Sequence, residues 1–489
     1  MQLSTRCYTN SVAVSDEWRS SPLSGFSSLL RPPRKMLDNL PDEITVEIVK
    51  HCAEPKHFYH ATFKPSPLQT SKPYEALKWS HLSRRHRALM RNTQSLWSWV
   101  SSAMHPTFLK ECLELGKSQG LHVEINAERS DKETASVYTL RQPSSSSRWE
   151  TLILRISIVV DAPHEDQTVE EAMERLEEFY IDLSRLHLPG LSRLALVYEE
   201  GEFDFEWSIR WIEEMYNTWV GPQICEVVTD GGGDSLPPSL CEAISKLTVN
   251  LDTEEEIGRS WLLSNLSSVR ELCIMMPRKH GDFHVDEQDK PLSIKNVSTL
   301  RLEWEVDNSF IPEVADAIDK FLTWVFFPNL KSLQIQLIGF DHDVQAFEPA
   351  GIRDNIMDAL LYELPNTSRF PNISTFELQV DGSLSSLPKH WTFPAHEFNG
   401  LRHLVLEGVQ MEIFSSEDGK DDCKASGRHM SKIQSITLRD CDKISTEGFV
   451  SFLNTLKEIQ EVTVVRCKNL DNASLSAALQ GIQFFFVSG

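Results

Sequence analysis

Two segments near the C-terminus carry the same pattern of apolar and polar residues at a fixed distance from each other. Segments 433–444 and 459–470 both have apolar residues at relative positions 1, 4 and 6 and a cysteine at position 9, and these cysteines, Cys441 and Cys467, are 26 residues apart. Because alternate residues of a strand point to the same side, positions 4 and 6 predict a short strand that buries one face. A period of this length is typical of solenoids built from stacked units.

A helix is predicted after each of these two strands. Ser445 precedes apolar residues at helical spacing, and a serine at this point is a common helix start. Asp471 precedes a similar stripe in the second unit. The stripes consist of Phe449, Phe452, Leu453 and Leu456 in the first unit and of Leu475, Ala478 and Leu479 in the second. One unit is therefore expected to be a strand plus a helix.

Eight weaker copies of the apolar hexad precede these two, at uneven distances that indicate loop insertions. Several of them follow a turn-forming pair such as Pro328-Asn329 or Pro371-Asn372. The alternative for residues 150–400 is a mixed α/β domain with unrelated strands. The copies are Trp149/Leu152/Leu154, Leu191/Leu194/Leu196, Ile244/Leu247/Val249, Val269/Leu272/Ile274, Val297/Leu300/Leu302, Leu330/Leu333/Ile335, Ile373/Phe376/Leu378 and Leu401/Leu404/Leu406.

The series resembles leucine-rich repeats, and in particular their cysteine-containing subclass. What the resemblance implies is an irregular α/β solenoid over residues 149–489, with a strand and a helix in each repeat. In such a repeat, positions 4 and 6 of the hexad face the core. Positions 5 and 7 are then expected to face the concave side, where stacked units form a ladder of exposed side chains.

Composition limits the classes of function. The net charge of −23 disfavours nucleic acid as a partner, because phosphate binding needs an excess of basic residues. No apolar run is long enough for a membrane span, and the first residues show no secretory signal, so no membrane partner is expected. Nine cysteines without a CxxC pair favour reduced thiols, which predicts a cytoplasmic or nuclear protein.

A small helical module is predicted near the N-terminus. Pro41, followed by two acidic residues, indicates a helix start, and the apolar spacing that begins at Ile44 predicts one buried face. A second helix is predicted through residues 77–90, with the basic string 84–87 on its other side, and a third apolar turn holds Leu96, Trp97 and Val100. A unit this short buries little apolar surface by itself, so a partner helix is expected to cover part of it.

These elements resemble the F-box, whose signature is a Leu-Pro-x-Glu-Ile segment, an arginine-rich second helix and a Leu-Trp pair, all in this order. Here they are Leu40-Pro41-Asp42-Glu43-Ile44, Ser83-Arg84-Arg85-His86-Arg87 and Leu96-Trp97. His86 departs from the family, which has tryptophan there, and residues 53–73 form an insertion. The order of module and repeats resembles the F-box proteins with leucine-rich repeats that are abundant in mushroom-forming fungi.

The resemblance implies an adaptor of a cullin–RING ubiquitin ligase, in which the module binds the small Skp-type adaptor and the repeats capture a protein substrate. The residues expected to bind the adaptor are Leu40, Pro41, Ile44, Ile48, Leu82 and Trp97. The residues expected to bind the substrate, at the polar centre of the ladder, are Arg301, Glu303, Gln334, Gln336, Glu377 and Gln379. Two alternatives remain open: a repeat scaffold whose helices only cap the solenoid, and an unrecognised hydrolase or metalloenzyme.

Catalytic motifs are absent from the sequence, so we expect neither enzyme activity nor a cofactor. Two groups could in principle hold a metal. The group around His51–His60 lacks the spacing of a zinc site, and a polar loop between two repeats explains the group around His280–Asp286 as well as a divalent ion does. The predicted organisation is a disordered tail (1–36), the F-box-like domain with its insertion (37–100), a polar connector (101–148) and the leucine-rich-repeat-like domain (149–489).

Overall fold

The chain was analysed as a computed structural model. It describes residues 40–53, 72–127, 131–157, 177–199, 205–230, 236–250, 266–276, 292–307, 325–340, 370–380, 398, 400–410, 413–414 and 432–488. The predicted tail 1–36 and nearly all of the predicted insertion 53–73 lie outside these residues, as do His57, His60 and the segment 280–286.

Parallel strands that follow one another along the chain make up most of the fold. The strands of the described residues are β1 (Trp99–Ser101), β2 (Leu121–Asn126), β3 (Trp149–Ser157), β4 (Arg193–Glu199), β5 (Glu226–Asp230), β6 (Lys246–Asn250), β7 (Glu271–Met276), β8 (Leu292–Ser293), β9 (Thr299–Asp307), β10 (Val325–Phe326), β11 (Ser332–Phe340), β12 (Thr375–Val380), β13 (His403–Glu407), β14 (Ser435–Arg439), β15 (Glu461–Val465) and β16 (Gln483–Val487). Fourteen of them form one open sheet in chain order, and β8 pairs with β10 separately. The fold is mixed α/β with a long parallel sheet, as predicted.

The register aligns position 4 of every hexad into one row across the sheet. Each of the eight weaker hexads and both strong ones lies at or in a strand, so the predicted strands are confirmed. The row runs through Val100, Val123, Leu152, Leu194, Val227, Leu247, Leu272, Leu300, Leu333, Phe376, Leu404, Ile436, Val462 and Phe484. All but the last are buried in one continuous apolar core. Positions 3, 5 and 7 point to the other side, which we call the front face.

The strands also begin with the same hydrogen bonds. Two successive amides at the start of one strand donate to a single carbonyl at the start of the preceding strand. Ser298 and Thr299, for example, donate to Arg270 O, and Lys331 and Ser332 donate to Ser298 O. The same pattern recurs at β12, β13, β14 and β15. Repetition of a local geometry in strands of different sequence indicates that one structural unit is stacked along the chain.

The asparagines of the predicted turns bind the preceding unit. The side-chain amide of Asn329 donates to Lys295 O over 2.7 Å, and that of Asn372 donates to Pro328 O over 2.8 Å. The turn pairs thus fix the point at which each strand starts, because each asparagine satisfies a carbonyl of its neighbour. The predicted function of these pairs as turns between units is consistent with this geometry.

The last units leave their strands through a left-handed residue. Gly408, Asp440 and Arg466 have φ values of 69°, 52° and 56°, and they occupy the same position after three successive strands. A Cβ on Gly408 would lie 2.0 Å from Val380 O, so only glycine fits there. Asp440 and Arg466 pair with each other, with Nε 2.8 Å from Oδ1.

Helices lie between several strands and at the N-terminus. In the described residues they are α1 (Asp42–Ala53), α2 (Lys72–Ser80), α3 (Arg84–Asn92), α4 (Pro106–Leu115), α5 (Asp131–Leu140), α6 (Pro143–Ser146), α7 (Phe205–Thr218), α8 (Pro238–Ala243), α9 (Thr446–Leu453) and α10 (Asn472–Ala478), with residues 177–183 also helical and a short 3-10 helix at Gln94–Trp97. Both predicted C-terminal helix starts are confirmed. Ser445 Oγ accepts from Gly448 N, and Asp471 Oδ2 accepts from Ser474 N.

The second helix predicted for the N-terminal module is two helices. The helix is interrupted at residues 81–83. The next helix, α3, begins after Ser83, whose hydroxyl accepts a hydrogen bond from His86 N over 3.2 Å. A serine that caps a new helix ends the old one. Its hydroxyl accepts the hydrogen bond of an amide that, in a continuous helix, would donate to a carbonyl of the preceding turn. The apolar spacing across residues 77–90 does not reveal this break.

Residues 101–148 are not a separate connector. They contain β2, α4, α5 and α6, and both β1 and β2 belong to the long sheet, which therefore begins before residue 149. Arg148 helps to hold this part together, since its guanidinium donates to the carbonyls of Gly116 and Gln119. Among the described residues, no helix has the length and apolar character needed to cross a bilayer.

Candidate docking surfaces

The first helix buries one face and leaves another uncovered. Thr45 and Val49, one turn apart, are buried against the rest of the module at 1% and 0% exposure. The neighbouring residues Ile44 and Ile48 lie beside this face, and Ile44 is 48% exposed. The apolar face predicted from Ile44 and Ile48 is therefore the one left at the surface, where a partner can reach it.

The start of the third helix brings further apolar residues to the same end of the module. Arg85 donates to Leu40 O over 2.5 Å and pairs with Asp42 at 2.5 Å, so the start of α3 lies against the start of α1. Leu82, just before the cap of α3, is 38% exposed. Leu40 is half-buried and Pro41 is exposed. Five of the six residues predicted to bind the adaptor thus retain exposed surface, and four of them, Leu40, Pro41, Ile44 and Leu82, lie at or next to the starts of α1 and α3.

Trp97 does not belong to this surface. Its exposure is 2%, and its indole nitrogen donates to Met90 O over 2.8 Å. Its ring meets Phe108 of α4 edge-on, with centroids 6.5 Å apart. The prediction that Trp97 contacts the adaptor is wrong, because the ring is buried between the module and α4. A Leu-Trp pair does not show from sequence which side its ring takes.

His86, at the position where the F-box family has tryptophan, is also buried. Its exposure is 2%, its Nδ1 lies 2.8 Å from Ser83 Oγ, and its ring centroid is 6.2 Å from that of Trp79. The smaller ring therefore fills a core position of the module and is held by the residue that caps its own helix.

The six residues predicted to bind the substrate lie on three adjacent strands of the front face. The register pairs Arg301 with Gln334 and Gln334 with Glu377. It also pairs Glu303 with Gln336 and Gln336 with Gln379. Neighbouring strands are about 4.8 Å apart, so the six side chains form one polar patch. We call these six residues the polar patch.

Part of this patch is internally paired. Arg301 Nε lies 2.5 Å from Glu303 Oε1, and its Nη2 donates to Gln336 Oε1 over 2.6 Å. The thiol of Cys273 points to the same Glu303 oxygen from β7, at 3.8 Å, and burial raises the Cys273 pKa above its ordinary value. Glu303 is only 2% exposed, so its predicted role as an exposed contact is wrong.

The other residues of the polar patch are half-exposed. Glu377 accepts a hydrogen bond from Gln379 Nε2 over 2.9 Å, and Gln334 lies between Arg301 and Glu377 in the same row. The amide groups can donate and accept hydrogen bonds, and the carboxylate of Glu377 can accept them. Such groups suit hydrogen bonding to a polar segment of another chain, and recognition of a substrate by this patch stays a prediction.

The front face changes character on either side of the polar patch. Towards the N-terminus, Ile153, Ala195, Val197 and Val228 form a second, small apolar cluster that is almost fully buried. Ion pairs cross neighbouring strands beyond it, Arg193 with Glu226 at 3.0 Å and Lys246 with Glu271 at 2.6 Å. Towards the C-terminus, Phe485 and Val487 are exposed apolar residues. The front face is therefore polar at its centre and apolar at its last strand.

A histidine that sequence analysis did not single out lies where the module meets the front face. The ring of His122 stacks on Trp99 with centroids 4.5 Å apart, and its Nδ1 lies 2.9 Å from Thr151 Oγ1. Burial, together with the positive charges of Lys72 and Arg193, lowers the pKa of His122 to about 4. His122 is therefore neutral near pH 7. The only sequence signal for its position is that it alternates with the core residue Val123 in β2, which puts it on the opposite, front face.

Metal ligands do not gather within the described part of the chain. The candidates His57, His60 and His280–Asp286 fall outside it, as do the side chains of His51 and Cys52. Cys441 and Cys467 are buried free thiols, and Cys441 N donates a hydrogen bond to Cys467 Sγ over 3.4 Å. Their contacts are those of core residues.

Comparison with known proteins yields no assignment. The chain matches none of the profiles of known protein families, and a search of curated proteins finds no match.

Proposed function

We propose that this chain is a recognition adaptor with two docking surfaces. The exposed apolar end of the N-terminal module binds the Skp-type adaptor of a cullin–RING ubiquitin ligase, as its resemblance to the F-box implies. The front face of the long parallel sheet captures a protein substrate, as the resemblance to leucine-rich repeats implies. The chain itself performs no chemistry in this proposal, and both of its partners are proteins.

The observation that carries the proposal is the exposed pair of Ile44 and Leu82. Both are large apolar residues next to a well-packed interior, where Val49 and Met90 are fully buried. The fold therefore has enough apolar residues to form a core and still leaves two at one end of α1 and α3. Exposed apolar residues grouped at the end of a small helical unit are typical of a helix-docking surface.

The polar patch supports the second surface. Its six residues come from strands whose hexads are separated by insertions of different length, yet the register places them side by side. A stacked sheet presents such residues on a broad face, which suits recognition of an extended or folded protein segment.

Co-purification tests the proposal. The full chain carries an affinity tag and is expressed together with a Skp-type adaptor, as wild type, as Ile44→Asp and as Ile181→Asp. Ile181 is also an exposed isoleucine, at 62%, but lies in helical residues 177–183 away from the module, so it controls for the charge itself. Wild type and Ile181→Asp should retain the adaptor, and Ile44→Asp should lose it.

The competing proposal is a scaffold whose helices cap the sheet without engaging a ligase. It is favoured by ring contacts that join the module to α4, such as Tyr74 with Phe108, at 5.1 Å between centroids. If wild type and Ile44→Asp recover the same amount of adaptor, or if wild type recovers none, the ligase proposal is wrong and the scaffold stands.

A further inference from the structure

The charges of the polar patch are unequally satisfied. Arg301 forms an ion pair with Glu303 and donates a hydrogen bond to Gln336, so its positive charge is neutralised within the protein. Glu377 has only the amide of Gln379 as a partner within the described residues, and no cationic group pairs with it there. One arginine against two glutamates leaves the patch with one negative charge. The surface is therefore complementary to a positive charge.

Glu303 does not add a second acceptor to this surface. Its Oε2 has no hydrogen-bond partner, and neither has Arg301 Nε, which lies 2.5 Å from Oε1 of the same carboxylate. Both atoms are buried, so a binding partner does not reach them. Gln334 is half-exposed between Arg301 and Glu377 in the same row, and its amide oxygen is an acceptor next to Glu377.

Neighbouring charges on the front face do not change this balance. Glu407 and Arg439 pair across β13 and β14 at 3.2 Å, and Lys246 pairs with Glu271 on the other side. These pairs cancel their own charges. Glu461 is the nearest comparable carboxylate without an ion pair in the described residues, and it lies three strands away from Glu377, about 14 Å.

We propose that the polar patch recognises a protein segment that presents an arginine or lysine side chain. Glu377 pairs with the positive charge, and the amide oxygen of Gln334, its neighbour in the row, accepts a hydrogen bond from the same segment. This inference rests on the proposed function, since it names the chemistry of the substrate that the front face captures. An arginine fits best, because its planar guanidinium carries several donors and can serve two acceptors at once.

Peptide binding to the full chain tests this proposal. Three fluorescein-labelled octapeptides serve as probes, in which glycine alternates with arginine, with glutamate or with serine. Their binding is measured by fluorescence anisotropy at about 0.15 M salt, where distant charges are screened. The arginine peptide should bind wild type more tightly than the other two. Glu377→Gln should weaken it about five- to tenfold, the effect of one charge-assisted hydrogen bond.

The chain carries a net charge of −23, so a matched control for overall charge is essential. Glu461→Gln removes the same charge from the same face but outside the patch, and it should change binding of the arginine peptide less than twofold. Glu377→Lys should reverse the preference towards the glutamate peptide. Equal weakening by Glu377→Gln and Glu461→Gln, or the absence of arginine-peptide binding to wild type, would overturn the proposal.

The same preparations are assayed for the Skp-type adaptor, which is proposed to bind the other end of the chain. Adaptor binding without selective peptide binding means that the inference fails while the proposed function stands. Selective peptide binding without adaptor binding means that the patch recognises basic segments in a protein that does not serve a ligase.

Discussion

Arg301 and Glu303 lie two residues apart on β9, and the guanidinium Nε of the first is 2.5 Å from the carboxylate Oε1 of the second. Alternate residues of a strand point to the same side, so this spacing alone brings the two side chains together. Glu303 is buried and Arg301 is mostly covered, with 19% of its side chain exposed. The pair therefore belongs to the structure of the front face and not only to its surface.

Removal of Arg301 alone should destabilise the protein. Arg301→Ala leaves the buried Glu303 without its cation, which costs about 3 kcal/mol of unfolding free energy. Replacing both residues by apolar ones of similar size, Arg301→Met with Glu303→Leu, should restore most of this loss. Denaturant unfolding of the wild type, each single variant and the double variant measures both effects. Equal stability of Arg301→Ala and wild type would show that the pair is solvated.

His122 should make the stability of the fold depend on pH. Its pKa in the folded protein is about 4, below its ordinary value of about 6.5. Between these two pH values, the histidine is protonated in the unfolded chain and neutral in the folded one. The contribution of neutral His122 to the free energy of unfolding is complete above a pH of about 6.5. It falls by up to about 3 kcal/mol as the pH drops towards 4.

The comparison of two histidine variants checks this effect. His122→Gln should flatten the loss of stability between pH 7.5 and 5. His403→Gln should not, although His403 also contacts a hydroxyl, Ser435 Oγ at 2.7 Å, because His403 is exposed. If the unfolding midpoints of His122→Gln and wild type fall in parallel with pH, the titration of His122 has no part in stability.

The neighbouring free thiols of Cys441 and Cys467 should resist labelling in the folded protein. Cys441 and Cys467 are 0% and 4% exposed, and the hydrogen bond to Cys467, together with burial, raises the pKa of the Cys441 thiol. Cys225 is exposed and serves as the positive control. A thiol reagent followed by peptide mass spectrometry should modify Cys225 quickly and the other two only on unfolding. Rapid modification of Cys441 would contradict their burial.

Replacement of Cys441 by serine should destabilise the C-terminal units. The hydroxyl is buried where a thiol served as a small apolar group, which costs about 1–2 kcal/mol. Cys225→Ser, at an exposed position, should leave the unfolding midpoint unchanged.

Much of the sheet could be predicted because each hexad carries its own signal. Position 4 of every predicted hexad lies in one row of the register, since the same alternation of apolar residues faces the same core. Strand β5 was missed because Thr229 occupies position 6, where the template expects an apolar residue, although Thr229 is buried. Strand β2 was missed because Leu121 and Val123 alternate with polar residues inside a segment interpreted as a connector.

The surfaces could be predicted only in part. The register places Glu303 and Glu377 on the same face, and the sequence pattern is sufficient for that. Exposure is different, since it depends on contacts between segments that are distant in sequence. Glu303 and Trp97 are buried for this reason, whereas Ile44 stays exposed because Thr45 and Val49 provide the packed face of α1.

Calorimetric titration of the purified full chain with a Skp-type adaptor tests the central proposal most directly. We expect a one-to-one complex whose heat-capacity change is negative, because binding covers the apolar surface around Ile44 and Leu82. Leu82→Asp should weaken the complex at least about a hundredfold, since it buries an unpaired charge, while Ile181→Asp should bind as wild type does. Unchanged affinity of Leu82→Asp, or no binding by the wild type, would contradict the assignment of this end of the module to a ligase adaptor.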